Sequence, residues 1–265
     1  MIFQQIRSAT SIISFAGKKF LLDPFLADKG SLPSVPSPHN ESPNPLVSLP
    51  LPVEAIVAVD AVVVTHMHHF DHFDAAARKA IPRDMPMFVQ NEKEARDMRA
   101  LGFADVTPLT EDGVGFGQVR LYRTEALHGR GEAAERRYVE HGVPAEACGV
   151  VFAAAGEKTL YVAGDTLWYE GVRTALDRHR PEVVVLNAAH AQFYDGTPIL
   201  MGTEGVRAVA EAAPKAVIIA SHMDAVNHAR LSRAGLREFV EVEGLSGRVR
   251  IPEDGEVCVF DARPL

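Results

Sequence analysis

Four apolar runs in this chain end on a histidine or an aspartate, and no other feature constrains the fold as tightly. Ala61-Val62-Val63-Val64 leads into Thr65-His66-Met67-His68-His69-Phe70-Asp71-His72-Phe73-Asp74, which packs four histidines and two carboxylates into ten residues. Val119 to Leu127 leads into His128-Gly129, Leu160-Tyr161-Val162-Ala163-Gly164 into Asp165, and Val217-Ile218-Ile219-Ala220-Ser221 into His222. Short runs rich in β-branched residues read as buried strands. The polar group after each then stands at a carboxyl end, where open α/β sheets bind ligands. One histidine after one strand reads as structural or surface. Four strand ends with the same grammar, if the strands are neighbours, put all these groups on one edge.

The rest of the chain reads as alternating β and α segments. Ser11 to Phe15 and Lys19 to Leu22 flank a turn at Gly17, as in a hairpin. Residues 27–52 hold seven prolines and little periodicity, but Leu46, Val47, Leu49 and Leu51 give the stretch apolar anchors, so an ordered active-site loop is expected. Asp74 caps a short helix that stops before Pro82, and Glu92 to Leu101 is a helix closed by Gly102. Val106 to Tyr122 suggests paired short strands with turns at Asp112-Gly113 and Gly117. Gly149 to Ala154 and Thr159 to Ala163 form a hairpin, Val172 to His179 a helix, and Glu182 to Leu186 and Ala216 to Ala220 buried strands. Strands at Val249 to Ile251 and Val257 to Phe260 close the chain. Such a mixture predicts two sheets with helices outside them.

With 265 residues, one large α/β domain or two small ones is within reach. A net charge of −8 argues against nucleic acid as a partner, which leaves a small-molecule substrate. The two cysteines, Cys148 and Cys258, have no CxxC spacing and suit a reducing compartment, so a cytoplasmic location is expected. No apolar run reaches the roughly 18 residues that a membrane span needs. The first residues alternate apolar and polar and lack the order of a signal peptide.

Imidazoles and carboxylates together are ligands for Zn, Mn or Fe. Two divalent ions need about three protein ligands each, with room left for water. A carboxylate such as Asp165 can bridge them, and a bridging water then ionises near neutral pH and attacks an acyl or phosphoryl centre. No G-x-S-x-G elbow competes with this chemistry.

The chain resembles the metallo-β-lactamase superfamily, whose signature is His-x-His-x-Asp-His after a strand, then a distant His, a bridging Asp and a last His. The segment 65–74, His128-Gly129, Gly164-Asp165-Thr166 and His222 match in order and spacing. Asp23-Pro24-Phe25, Gly164 to Trp168 and Ile251-Pro252-x-Asp254-Gly255 make it most similar to the branch with the ascorbate-6-phosphate lactonases. The resemblance implies a single domain over 1–265 with a four-layer αββα sandwich, metals on one edge, and a pair of divalent ions, Zn or Mn rather than Fe. It implies His66, His68 and His128 on one ion, Asp71, His72 and His222 on the other, and Asp165 between. The chain departs from the pattern in one place. His69 and Phe70 both stand between the second histidine and Asp71, where the family has one residue. A one-residue bulge accommodates this, and His68 or His69 then supplies the second imidazole. His68 is the preferred one. The other would orient a ligand or meet substrate.

His190, His228, Trp168 and Arg130 are the candidates for substrate contact, because each lies close in sequence to a strand end or a ligand. His39, His141 and His179 read as structural. The expected activity is hydrolysis of a lactone, another ester or a phosphodiester in a small polar molecule, with Asp71 and Asp165 as catalytic carboxylates. A nuclease and a non-catalytic metal-binding protein are the alternatives. Homo-oligomer formation is in keeping with the resemblance.

Overall fold

All four residues of Ala61–Val64 are buried, Ala61 and Val63 in one apolar layer and Val62 and Val64 in another. A strand with period-2 side chains and no polar face has core on both sides. The computed structural model, which describes residues 1–37 and 40–262, shows both layers. His39 lies outside the described residues.

The first six strands, β1 (Ile2–Arg7), β2 (Thr10–Phe15), β3 (Lys18–Leu22), β4 (Ala61–Val64), β5 (Met87–Val89) and β6 (Val106–Pro108), lie side by side in chain order in one sheet. The next seven, β7 (Val114–Phe116), β8 (Val119–Glu125), β9 (Cys148–Ala153), β10 (Leu160–Val162), β11 (Val183–Asn187), β12 (Val217–Ser221) and β13 (Val249–Arg250), do the same in a second. β14 (Val257–Val259) returns to the first sheet and pairs antiparallel with β1.

The helices are α1 (Val53–Ile56), α2 (Ala75–Ala80), α3 (Glu92–Ala100), α4 (Gly131–His141), α5 (Glu170–His179), α6 (Thr203–Ala212) and α7 (Arg233–Val242). Phe15, Phe20 and Val63 meet Val150, Phe152 and Val185 between the sheets. Ala77 of α2 and Ala95 and Met98 of α3 cover the far face of the first sheet. Val172 and Leu176 of α5, Val206 and Val209 of α6 and Leu236 and Val240 of α7 cover that of the second. The result is the αββα sandwich expected. Burying each of the valine, leucine, methionine and phenylalanine side chains among these contributes about 1.5–3 kcal/mol. Among the described residues no helix is long and apolar enough to cross a membrane.

Local chemistry explains most boundaries. The β2–β3 hairpin pairs Phe15 with Lys18 across Ala16 and Gly17, both at positive φ, the twist that a two-residue loop needs. Asp74 caps α2 by accepting from Ala77 N (2.7 Å), and also takes Leu26 N (2.9 Å) and Ala27 N (2.6 Å), so the helix start holds the chain leaving β3. Asn91 caps α3 in the same way, accepting from Glu94 N.

One expected hairpin is corrected. Val106 to Tyr122 is not one paired unit: β6 lies parallel to β5 in the first sheet, and only β7 and β8 pair with each other. The Asp112-Gly113 turn therefore carries the chain from one sheet to the other. Helix α4 has no counterpart among the sequence-based expectations.

The described residues of 27–52 form neither helix nor strand, yet several of their polar groups are anchored. Leu32 and Asn44 bridge each other, and Asn227 grips the loop from the opposite side of the fold. Its side chain accepts from Val35 N (2.9 Å) and Asn44 Nδ2 (2.8 Å) and donates to Val35 O (2.8 Å) and Asn40 O (2.6 Å). The buried Arg7 guanidinium donates to Ala27 O (2.9 Å) and Val47 O (3.2 Å).

Candidate metal centre and its cavity

Six strand ends meet on one edge. β3 and β4 are parallel, β10, β11 and β12 are parallel, and β8 runs with β10 because both are antiparallel to β9. Asp23, His66, His128, Asp165 and His222 follow five of these strands, and Asn187 ends the sixth. Ser8, Asp23 and His222 all adopt positive φ, a backbone state that persists only where surrounding contacts hold it.

Asp165 is the hub. Its Oδ2 lies 3.2 Å from His72 Nε2, 3.5 Å from His128 Nε2 and 3.6 Å from His66 Nε2. Its Oδ1 lies 3.7 Å from His222 Nε2 and accepts from Asn187 Nδ2 at 2.6 Å. His222 Nε2 is also 3.3 Å from Asp71 Oδ2. Three triads result, each with ligand atoms within 4.8 Å: His66, His69 and His128; His66, His72 and Asp165; Asp71, His72 and His222.

Backbone packing sets the position of Asp165. Gly164 has φ +69°, and a Cβ there would collide with the Cys148 carbonyl oxygen. The turn carrying Asp165 thus lies directly on β9 with no side chain between them.

The donor set fits divalent cations. His66 Nε2 and His128 Nε2 are buried and have no hydrogen-bond partner. Such atoms are costly unless something satisfies them. The other nitrogen of each ring is held: His128 Nδ1 by Ile199 O (2.9 Å), His66 Nδ1 by Thr65 Oγ1 (3.1 Å), His222 Nδ1 by Ser8 Oγ (3.3 Å) and His72 Nδ1 by Asp23 Oδ2 (3.0 Å). Fixing one nitrogen aims the lone pair of the other, as metal-binding histidines require. His69 is turned the opposite way. Its Nε2 meets Pro144 O at 3.0 Å, which leaves Nδ1 as the free lone pair.

Charge is divided unevenly across the cluster. Burial pushes His66 well below its ordinary pKa and takes His69 down to about 4, with His72 and His128 adding to the effect on one or other ring. For His72, burial acts downward but the Asp165 and Asp23 carboxylates outweigh it, and the pKa rises well above normal. His222 rises for the same reason, beside Asp165 and Asp71. Burial opposes ionisation of Asp165, yet His72, His222 and His128 hold its pKa well down. The two carboxylates demand cations, and without metal His72 and His222 supply the charge.

The structure brings His69, and not the preferred His68, to the cluster. His68 points toward Asp97 Oδ2 at 3.5 Å, whereas the His69 ring lies edge-on to His66 (4.6 Å between ring centroids) and tilted against His128 (5.1 Å). The cause is Met67. It is buried in the layer under α2 and α3, and its N–H donates to Glu94 Oε1 at 3.1 Å. With Met67 drawn into the core, His68 is carried off the cluster to the edge of the cavity, where its Nε2 is buried without a partner, and the following residue returns to the cluster.

A cavity of about 440 Å³ opens beside the cluster. Leu32 to Pro36 of the loop form one wall, Tyr138, His141 and Val143 another, and Phe193 and Ile199 a third, with His69, Asp71 and His228 at the cluster side. His228, one of the candidate substrate contacts, is buried there. Its Nδ1 has no partner, and burial pushes its pKa down to about 4.

The other substrate-contact candidates stand elsewhere. Trp168 is half-buried in the helix layer of the second sheet with Arg173 over its ring, and Arg130 is exposed just before α4. His190 is half-buried beside Gln192, 3.0 Å between Nε2 atoms, and Gln192 rather than His190 lines the cavity. Neither Arg130 nor Trp168 is among the residues that line this cavity.

Four side chains of the site are not among those expected from the sequence. Asp23 accepts from Thr65 N (2.7 Å) and Thr65 Oγ1 (2.8 Å) besides contacting His72. Asn187 holds Asp165. Glu94 is buried behind Met67, and burial raises its pKa to about 7. Tyr138 is buried with its hydroxyl unpartnered, and burial beside Asp165 and Asp71 pushes its pKa up. A polar residue ending an apolar run is the available signal for Asp23 and Asn187. For Tyr138 the signal is a single aromatic in the charged segment Gly131–His141.

Residues 19–223 match the family model described as a β-lactamase superfamily domain. The protein YddR of Bacillus subtilis, of the UPF0173 group, is 43% identical over 98% of this chain and 100% of its own length. The crystal structure of an isothiocyanate hydrolase from Delia radicum gut bacteria superposes with a TM-score of 0.93 at 41% identity, covering 99% of this chain and 100% of that one. A possible metal-dependent hydrolase from Veillonella parvula gives a TM-score of 0.93 at 36% identity, covering 98% and 99%.

Proposed function

We propose that this chain, which belongs to the β-lactamase superfamily, is a metal-dependent hydrolase of small, uncharged substrates with an apolar body and an electrophilic carbon. The observation that carries the reading is the cavity. It adjoins the ligand cluster, its walls are mostly aliphatic and aromatic, and no lysine or arginine is among its described lining residues. A phosphodiester would bring a charge that this wall does not match. A lactone or other ester fits it, and so does an isothiocyanate, the substrate in the name of a 41% identical relative.

His66, His69 and His128 would hold one divalent ion, Asp71, His72 and His222 a second, and Asp165 would serve both. Zn and Mn both suit the set. Ions there supply a water that ionises near neutral pH and positive charge for the developing anion. The chain does the remaining work. Asp23, Ser8, Ile199 and Thr65 fix the imidazoles, and Asn187 fixes Asp165. The loop 32–36 and α4 exclude bulk water and seat the apolar body so that its reactive carbon faces the cluster. An isothiocyanate and one water would give an amine and carbonyl sulfide. An ester and one water would give an acid and an alcohol.

The test is a panel on zinc- and manganese-loaded protein: benzyl isothiocyanate, a phenyl ester, a γ-lactone and a bis-aryl phosphodiester. Turnover of a neutral substrate at least tenfold above the phosphodiester is expected, lost in Asp165→Asn together with bound metal. Preference for the phosphodiester, or an Asp165→Asn protein that keeps full activity and metal, would refute the reading.

A further inference from the structure

The hydroxyl of Tyr138 is buried and unpartnered, and Tyr138 is one of the residues that line the cavity. Its ring is fixed from three sides, with centroids 5.0 Å from Phe193, 5.5 Å from His128 and 5.9 Å from His69. Gly129, next to His128, makes this approach feasible. A Cβ there would stand 2.9 Å from Ala134 Cβ and 3.4 Å from Tyr138 Cε2. A phenol needed only for packing would be served as well by phenylalanine, which leaves no donor without an acceptor. This donor lacks an acceptor in the protein, and its residue lines the cavity beside His69 and Asp71, where substrate would sit.

Resting on the hydrolase reading, we propose that Tyr138 is a catalytic residue whose hydroxyl donates a hydrogen bond to the substrate heteroatom that gains negative charge as the attacked carbon takes up oxygen from water. In an ester that atom is the carbonyl oxygen. In an isothiocyanate it is the nitrogen or sulfur flanking the central carbon. A rigid donor aimed at the charge that develops stabilises the transition state more than the ground state.

Zinc-loaded wild type and Tyr138→Phe should be compared in three measurements: bound zinc, kinetics on the best substrate of the panel, and calorimetric affinity for thiocyanate, a linear anion with the same three atoms as the isothiocyanate group. The expected result is unchanged zinc, a kcat lower by about 10²-fold with KM within about threefold, and thiocyanate binding weaker by about tenfold. A kcat within threefold of wild type, a loss that follows zinc content, or equal thiocyanate affinity overturns the assignment, as does a wild type that does not bind thiocyanate. Absence of wild-type turnover across the panel would count against the hydrolase reading alone, since the thiocyanate arm still decides the role of Tyr138.

Discussion

Asp23 Oδ2 lies 3.0 Å from His72 Nδ1, and the same carboxylate takes both hydrogen bonds that Thr65 can donate to it. One buried acid therefore fixes an imidazole of the cluster and the first residue after β4 together.

Replacing Asp23 with Asn keeps the shape but weakens the hold on His72 and lets its ring present the wrong nitrogen. Metal affinity should fall by about 10–100-fold, as when partners behind metal ligands are lost elsewhere. Competition with a chelator measures it, and an unchanged affinity would show that Thr65 alone orients His72.

His69 and His68 are separable. His69→Ala should lower bound metal by about one ion per chain and turnover by at least ~10²-fold, because a triad loses one of three ligands. His68→Ala should keep both within about threefold. Elemental analysis beside kinetics on the two variants decides, and the reverse pattern would restore His68 as the ligand.

Glu94 gives the fold a pH dependence. Burial raises its pKa from 4.5 to about 7, so between those values the folded state holds a proton that the unfolded state has released. Stability then falls as pH rises from about 4.5 to 7, and the loss levels off above, at up to roughly 3 kcal/mol. Glu94→Gln removes this slope, so relative to wild type the variant should gain stability toward alkaline pH. Urea unfolding at pH 5 and pH 8 tests it. A wild type–variant difference that is equal at both pH values would show that Glu94 ionises freely.

Asn227 is the pin of the loop that forms one cavity wall. Asn227→Ala removes four side-chain hydrogen bonds to Val35, Asn40 and Asn44. Proteolysis within 33–44 should become faster and KM should rise several-fold, with metal content unchanged. A protease-resistant variant with unaltered KM would mean that Arg7 and the Leu32–Asn44 bridge hold the loop unaided.

Much of this site is legible in the sequence. Strand-end histidines and aspartates stand out because a β-branched run marks a buried strand, and the polar group directly after it marks where that strand leaves the core. The αββα layering follows from strands buried on both faces. The choice between His68 and His69 is not legible, because it depends on Met67 sinking into the layer under α3, a tertiary preference that spacing does not encode. Helix α4 escapes sequence reading because its buried face is short: Ala134 and Tyr138 are its buried residues, and most of the others are charged or exposed. Glu94 reads locally as an ordinary acidic residue in the first turn of a helix, and only the packing of Met67 over it makes it a buried acid.

The contact of Gly164 with the Cys148 carbonyl has a consequence for how such a protein can diversify. The groups that do chemistry are mounted on backbone pressed against backbone, so they have no slack to adjust by small substitutions. The cavity walls are different: they come from 32–36, 131–144 and 192–199, stretches that join strands without belonging to either sheet. Substrate range can therefore drift by exchange of these connecting segments while the cradle stays constant, and libraries aimed at new substrates belong there.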